Sequence, residues 1–530
     1  MKNNKLLSVS GLSININGKV VVDNVSFDIN QSEVLCLVGE SGSGKSLTAS
    51  SVIGLLPEVA HVTAQHITFE GNDMMIMDDE SKRLLRGQEI SMIFQEPMTA
   101  LNPVMTVGDQ VAEVFEIHTN LKRPAIKKEV IKLFNQVKIP DAERRFNDYP
   151  FQMSGGQRQR VMIAMALAMK PKLLIADEPT TALDVTVQQE ILQLIKDLQR
   201  DMDMAVLFIT HDFGVVAEMA DHVAVMKNGQ LVEEGLVGDI MKKPKHPYTQ
   251  QLLAAMPALS HEAKAEIKED VFLKVENVNK IFHIKEGGFF GKTKPFNALK
   301  DVSFEMRKGE TVGVVGESGC GKSTLSRCLV RLYEMDGGKV TFKGEDTTNY
   351  SGKELKIMRR DMQMVFQDPY SSLNPRMKVG EAIAEGLKAH NVMSKNSRKA
   401  FVVQLLLDVG LDIEAYDRYP HQFSGGQRQR IGIARALALR PALIIADEAV
   451  SALDVSVQKQ VLDLMAVLKE KYQLSYLFVS HDLRIVSQVS DRVLVMKDGE
   501  IVEQGPCHEL FSNPQHPYTK KLLSAIPSTG

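Results

Sequence analysis

The chain is written twice, and that duplication limits its architecture more than any other feature. GESGSGKS at 39–46 returns as GESGCGKS at 316–323. IFQEPMTALNP at 93–103 returns as VFQDPYSSLNP at 365–375, and SGGQRQR at 154–160 returns unchanged at 424–430. LLIADE at 173–178, ITHD at 209–212 and HPYT at 246–249 return as LIIADE at 443–448, VSHD at 479–482 and HPYT at 516–519. The offset between copies is 266 at Leu7 and Leu273, 277 at the glycine loops and 270 from SGGQ onward. The step from 266 to 277 is an 11-residue insertion in the second copy, around KEGGFFGKTKPF at 285–296. Its glycines and lysines predict a solvated loop, with Phe289 and Phe290 as candidates for a docking contact. The 530 residues therefore divide into domains 1–258 and 271–530, joined by the charged, aperiodic segment 259–270.

Within each copy, short apolar runs enter the repeated loops. Val34–Val38, Leu173–Ala176 and Ala205–Thr210 predict strands buried on both faces, as in a parallel sheet. Helical patterns separate them: Gln157–Met169, and Val187–Gln199 with Ile191, Leu192, Ile195 and Leu198 on one face. Strands alternating with helices predict an α/β core.

The glycine loops carry the first chemistry. Gly39, Glu40, Ser41, Gly42, Ser43, Gly44, Lys45 and Ser46 fit the pattern GxxxxGK[ST]. In such a loop backbone N–H groups turn inward around phosphates, the lysine reaches the outer phosphates, and the hydroxyl ligates Mg²⁺. A helix starting there adds its positive end. One match in a chain of this length arises by accident at roughly 2%. The second loop, Gly316, Glu317, Ser318, Gly319, Cys320, Gly321, Lys322, Ser323 and Thr324, follows an equivalent strand and removes that reading.

Asp177 and Glu178 end an apolar run, as Asp447 and Glu448 do. A carboxylate at a strand's C-terminal end holds Mg²⁺ directly or through water, and the adjacent glutamate is placed to polarise an attacking water. Ser154, Gly155, Gly156 and Gln157, with Ser424, Gly425, Gly426 and Gln427, open helical patterns and form a second kind of anion site. An ordinary serine cap with a permissive turn is the plainer alternative. His211 and His481 each follow a buried strand. Gln95 and Gln367 each end an apolar run ahead of an acidic residue and a proline.

Cys320 sits beside Lys322 at a helix N-terminus, a setting that lowers a thiol pKa. The plainer reading is a serine replacement of no consequence.

Composition excludes several classes. Lysine and arginine number 63 against 66 acidic residues, for a net charge of −3, which is no footprint for nucleic acid. The four cysteines, Cys36, Cys320, Cys328 and Cys507, lie too far apart for a zinc finger and suit a reducing cytoplasm. Residues 1–19 show no signal peptide. The longest apolar stretch, Val161–Met169, falls short of a bilayer. Any membrane role is thus expected to be peripheral.

Together these segments resemble the ATP-binding subunits of ABC transporters, along nearly the whole chain and twice over. The resemblance implies two tandem P-loop NTPase domains, each with a mostly parallel sheet core, an antiparallel β subdomain and a helical subdomain. It implies ATP and Mg²⁺ as cofactors. Glu178 and Glu448 would be catalytic, with His211 and His481 at the γ-phosphate and Gln95 and Gln367 sensing Mg²⁺ and a membrane partner. Ser46, Asp177, Ser323 and Asp447 would complete the metal sites. SGGQ is the family's signature, preceded here by Met153 and Phe423 rather than leucine. Asp184 and Asp454 would lie at the dimer interface. In the family's head-to-tail sandwich each signature faces the other half's phosphate loop. Both halves keep glutamate, histidine and signature, so two hydrolytic sites are expected. Phe282 would stack on adenine in the second half, whereas Ile16 stands in its place in the first.

FQEPMTALNP, FQDPYSSLNP, DEPTTALDV, DEAVSALDV and the HPYT-x2-LL segments are similar to the oligopeptide/dipeptide/nickel importer group. No cysteines after Pro257 or Pro527 suggest that group's iron–sulfur cluster. The fused form, with IPDAERR, VMIAMALAM and THDFGVVAEMAD, is most similar to importers of glutathione, and next to those of microcin C-type peptides. The implied partners are two integral-membrane permease subunits and, through the complex, an extracytoplasmic substrate-binding protein. The implied location is the cytoplasmic face of the inner membrane. A soluble tandem ATPase acting on ribosomes or DNA is the alternative; it would be expected to carry a long charged linker, zinc modules or coiled coils.

Overall fold

The computed structural model describes residues 5–181, 183–264, 267–286, 292–368, 372–451 and 453–526. Contacts divide the chain into two units, Met1–Met256 and Pro257–Ile526.

In the first unit, Lys5–Ile16 pairs antiparallel with Lys19–Asn30 and also with Ala60–Thr63 and His66–Phe69. A second sheet has six strands, in the order Gln230–Leu236, His222–Lys227, Val34–Val38, Ala205–Thr210, Leu173–Asp177 and Ile90–Ile93. Neighbours are parallel except at the Gln230–Leu236 edge. The run Val34–Val38 is apolar throughout because both faces are covered. Leu35 and Leu37 join the cluster under the antiparallel sheet, while Val34, Cys36 and Val38 join the cluster under the helices. That second cluster takes Val111 and Phe115 from helix Val107–His118, and Val130 and Phe134 from Arg123–Gln136.

Parallel pairing brings the C-terminal ends of four strands to one edge. The loops that follow carry Gly39, Gln95, Glu178 and His211, the usual place for a ligand in an open α/β sheet. Helix starts are set by caps rather than by the apolar stripe. Ser154 caps Gly155–Leu167, and Asp184 caps Val185–Met202, where its carboxylate accepts the Val187 N–H at 3.0 Å. Both helices therefore begin two residues before their periodicity does.

The second unit repeats this plan. Its parallel sheet runs Met362–Val365, Leu443–Asp447, Ser475–Val479, Thr311–Val315 and Arg492–Lys497, with Glu500–Pro506 antiparallel at the edge. One difference concerns the insertion. At 285–286 and 292–296, where a loop is expected, the strands Val271–Glu286 and Lys292–Arg307 extend to 16 residues each, against 12 in the first unit, and pair as far as Glu286 and Lys292. Pairing satisfies backbone groups that a solvated loop would leave to water. Pro295, which lacks an N–H, sits in the edge strand, where no further neighbour needs one. Phe289 and Phe290 lie outside the described residues.

The segment after Pro257 is laid along the second unit. The Ala258 carbonyl accepts from Gln488 Nε2 at 3.1 Å, Ser260 N–H donates to Ser487 Oγ at 2.9 Å, and Lys264 Nζ donates to the Gln488 carbonyl at 2.8 Å. His261 Nδ1 lies 3.1 Å from Ser512 Oγ.

Candidate functional site

Each glycine loop bridges a buried strand and a short helix, Lys45–Val52 in the first unit and Lys322–Leu329 in the second. Two features require glycine. A Cβ on Gly39 or Gly316 would meet the Met226 or Met496 carbonyl oxygen at 2.2 Å. Gly44 and Gly321, at φ of 100° and 109°, turn the chain into the helix through a conformation other residues rarely adopt. Ser41, Gly42, Ser318 and Gly319 stand exposed at the crown, whereas Ser43 and Cys320 point inward and are buried. Lys45 and Lys322 are each 4% exposed. Lys45 Nζ donates to the Gly39 and Glu40 carbonyls at 2.7 and 2.9 Å, and Lys322 Nζ to those of Gly316 and Glu317 at 2.6 and 3.0 Å. A buried ammonium needs acceptors, and the loop supplies its own.

The adjacent carboxylates serve different partners. Asp177 Oδ1 accepts from Ser46 Oγ at 2.9 Å, and Asp447 Oδ1 from Ser323 Oγ at 3.0 Å. Glu178 and Glu448 follow at φ of 44° and 50°. Non-glycine residues seldom hold such angles, which cluster at functional sites. The N–H of each is held by the carbonyl of Ile209 or Val479, at 3.0 and 2.9 Å. Glu178 Oε2 accepts from Gln95 Nε2 and from Thr181 Oγ1, both at 2.9 Å, and Oε1 lies 3.2 Å from His211 Nδ1. Glu448 accepts from Gln367 Nε2 at 2.7 Å and lies 3.5 Å from His481 Nδ1. Residues 83 and 33 positions away in the chain thus converge on Glu178, and the second unit repeats the convergence.

Charges within each site diverge. Burial pushes Asp177 and Asp447 above the ordinary carboxylate range, against the pull of the serine hydroxyls. Burial also pushes Glu178 up, but the hydrogen bond and charge of His211, with Lys45 and Thr181, outweigh it and hold Glu178 down at about 2. Glu448 is lowered in the same way against its burial, by His481, Lys322 and Gln367. For His481, burial lowers the pKa, but Glu448 wins and raises it.

Serine hydroxyl and aspartate carboxylate side by side are hard oxygen donors of the kind Mg²⁺ takes, together with water and phosphate oxygens. A cation there would also relieve the cost of burying Asp177 and Asp447 ionised. Among the described residues no cluster of three or more His, Cys, Asp or Glu side chains could hold a metal. Gln95 and Gln367, read as metal ligands from the sequence, point their amides at the glutamates in this state.

The SGGQ turns form closed capping boxes. Ser154 Oγ accepts the Gln157 N–H at 3.3 Å while Gln157 Oε1 accepts the Ser154 N–H at 3.1 Å; Ser424 and Gln427 repeat this at 3.4 and 3.1 Å. A Cβ on Gly156 or Gly426 would lie 2.6 or 2.2 Å from a methyl of Val187 or Val457, so these glycines allow the next helix to pack close. Ser154 and Ser424 remain exposed.

Phe282 belongs to a larger aromatic group. Its ring meets Tyr333 edge-on at 5.4 Å and 82°, with Lys280 Nζ 5.4 Å above it. Arg327, on the phosphate-loop helix, lies 5.7 Å over Tyr333 and donates to its hydroxyl at 3.2 Å. Asp336 clips the strand by accepting the Ile281 N–H at 2.7 Å and pairing with Lys280 at 3.1 Å. The first unit has Ile16, Leu56 and Ser50 at the matching places, and the strand Ala60–Thr63 lies against Ile16 instead. Sequence reasoning missed Tyr333 and Arg327, although the 277 offset sets them opposite Leu56 and Ser50.

At Cys320 burial opposes the effect of its neighbours in sequence. The residue is 6% exposed, and burial pushes its thiol up despite Lys322 Nζ at 3.9 Å from the sulfur. Desolvation of a thiolate outweighs one neighbouring ammonium that already has two carbonyl partners.

The ABC transporter family profile matches residues 22–181 and 299–451. That of the oligopeptide/dipeptide transporter C-terminal region matches 232–284 and 502–530. The chain is 48% identical to the glutathione import ATP-binding protein GsiA of Pectobacterium atrosepticum, over 96% of this chain and 86% of that protein. The figures for GsiA of Escherichia coli strain K12 are the same. It is also 48% identical to the peptidoglycan transport ATP-binding protein YejF of Agrobacterium fabrum, over 98% of this chain and 96% of that protein. Matched in both halves and aligned along almost its whole length, the chain belongs to the ABC transporter ATP-binding family, as two P-loop ATPase domains in one polypeptide that couple ATP hydrolysis to transport.

Proposed function

We propose that the chain energises import of small peptides, glutathione or oligopeptides and dipeptides, from the cytoplasmic face of the inner membrane. It would act with two permease subunits and, through them, an extracytoplasmic binding protein. The observation that carries this reading is the likeness over both oligopeptide-type C-terminal regions, together with relatives whose names specify glutathione and peptidoglycan transport. No helix among the described residues is long and apolar enough to cross a membrane, and in this reading the path belongs to the permeases. The ribosome- or DNA-directed alternative finds no support among these relatives. Reconstitution of the complex in vesicles tests the proposal: glutathione or a short peptide, with its binding protein, should raise ATP turnover severalfold. Stimulation by no peptide would overturn it.

At each site we assign the phosphates to the loop amides and to Lys45 or Lys322, and Mg²⁺ to Ser46 with Asp177 or Ser323 with Asp447. Mg²⁺ supplies neutralisation of the phosphate charge. Glu178 and Glu448 orient the attacking water. A carboxylate held near a pKa of 2 is a weak base. Gln95 and His211 occupy Glu178 and would act as a latch on it, as Gln367 and His481 would on Glu448. The exposed SGGQ turn offers its helix N-terminus to a γ-phosphate on a partner cassette's loop.

The aromatic group predicts unequal handling of the base. In a Lys45→Ala background, Phe282→Ala is expected to raise the Kd for MgATP about tenfold, the size of one lost base–aromatic stack. In a Lys322→Ala background, Ile16→Ala should change it less than about twofold. Nucleotide titration by calorimetry reads both. Equal effects would refute the assignment of Phe282 to adenine.

A further inference from the structure

His246–Thr249 and His516–Thr519 recur at one offset, yet they contribute nothing to the chemistry above. In both units the tyrosine of this segment reaches the phosphate loop. The Glu40 N–H donates to Tyr248 Oη at 3.3 Å, and the Glu317 N–H donates to Tyr518 Oη at 2.9 Å. The two rings are 5% and 6% exposed. Lys227 Nζ lies 4.5 Å over the Tyr248 ring and Lys497 Nζ 5.3 Å over that of Tyr518. These lysines follow Met226 and Met496, whose carbonyls press against Gly39 and Gly316.

The segment itself is anchored. Glu233 accepts the N–H groups of Lys245 and His246 at 2.6 and 3.1 Å, and Glu503 those of Gln515 and His516 at 2.7 and 3.1 Å. His246 Nδ1 and His516 Nδ1 each accept the tyrosine's own N–H at 3.2 Å. Each hydroxyl is therefore presented to the loop by a fixed frame.

The held amide shares a peptide unit with the Gly39 or Gly316 carbonyl, because that unit joins residues 39 and 40, or 316 and 317. This carbonyl is the nearer acceptor of Lys45 or Lys322. A peptide unit is planar, so fixing its N–H fixes its C=O. The tyrosine sets the orientation of the first peptide of the loop, and through it the rest position of the lysine.

We propose that Tyr248 and Tyr518 are positioning residues for nucleotide binding, each holding the first peptide of its phosphate loop so that the lysine and the amides beyond it meet the phosphates in a fixed geometry. This deepens the ATP-site reading above and rests on it. Because the same contact is built twice from separate stretches of chain, each loop is wired to its own C-terminal segment.

The test is Tyr248→Phe and Tyr518→Phe in the full chain, singly and together. Phenylalanine keeps the ring, its packing and the overlying lysine, and removes only the hydroxyl. The double variant should bind MgATP about fivefold more weakly, the effect of one hydrogen bond at each loop. Its KM should rise more than its kcat falls. Ile240→Val, which trims the buried core of the same region, serves as the control for general loosening and should leave the Kd unchanged. Unaltered affinity in the double variant would overturn the proposal, as would an equal weakening by Ile240→Val. Failure of the unaltered chain to bind MgATP at all would instead bring down the ATP reading, and this one with it.

Discussion

Replacing Glu178 and Glu448 together by glutamine is expected to cut steady-state ATP hydrolysis roughly a thousandfold while nucleotide stays bound. Glutamine matches glutamate in shape, so the strained turn at φ of 44° and 50° is kept, and its amide oxygen still accepts from Gln95 or Gln367. What disappears is the charge to which the polarisation of water is assigned. Neither Asp177 nor Asp447 can stand in, because each is turned toward the hydroxyl of Ser46 or Ser323. Phosphate release under multiple turnover, read beside nucleotide retained on a desalting column, separates loss of chemistry from loss of binding. Appreciable release by the double variant would remove both glutamates from their role.

Lys45→Ala and Lys322→Ala should act one step earlier. Each is expected to weaken MgATP binding at its own loop by about a hundredfold, as for loss of charged hydrogen bonds worth about 3 kcal/mol. The empty protein should be little affected. It loses two hydrogen bonds to neutral carbonyls but also sheds an ammonium that is 4% exposed, and these contributions oppose each other. Thermal melting is the check. Without nucleotide the variants should melt with the parent; with saturating MgATP the parent alone should gain its full stabilisation. Arginine is not expected to rescue, since its planar fork does not reproduce a compact ammonium. Tight binding by the doubly substituted chain would refute the phosphate assignment of both loops.

The elements around both sites were legible because their causes are local. Val34–Val38 is apolar since both its faces are covered, and that can be read from five residues. Gly44 and Lys45 announce a turn into a helix, and Asp177 with Glu178 mark a strand end. Convergence of Gln95 and His211 on Glu178 was not legible from spacing, because it depends on strand order in the sheet, and only the family resemblance set them at one site. The extension of the hairpin to Glu286 and Lys292 was hidden by a glycine- and lysine-rich composition that reads as a solvated loop. At Cys320 neighbours in sequence pointed to a lowered thiol pKa, which the plainer reading of a serine replacement set aside, and desolvation raises it. Tyr333 and Arg327 touch through side chains six positions apart, a contact with no hydrophobic period to betray it.

The polar stretch from Ala258 to Lys264 looked like a bridge belonging to neither side, yet Ser487, Gln488 and Ser512 claim it for the second ATPase. The boundary between the two units accordingly falls at the bond between Met256 and Pro257. A half-molecule beginning at Val271 would be an amputee, with those three residues left reaching for a strand of chain that went with the other fragment.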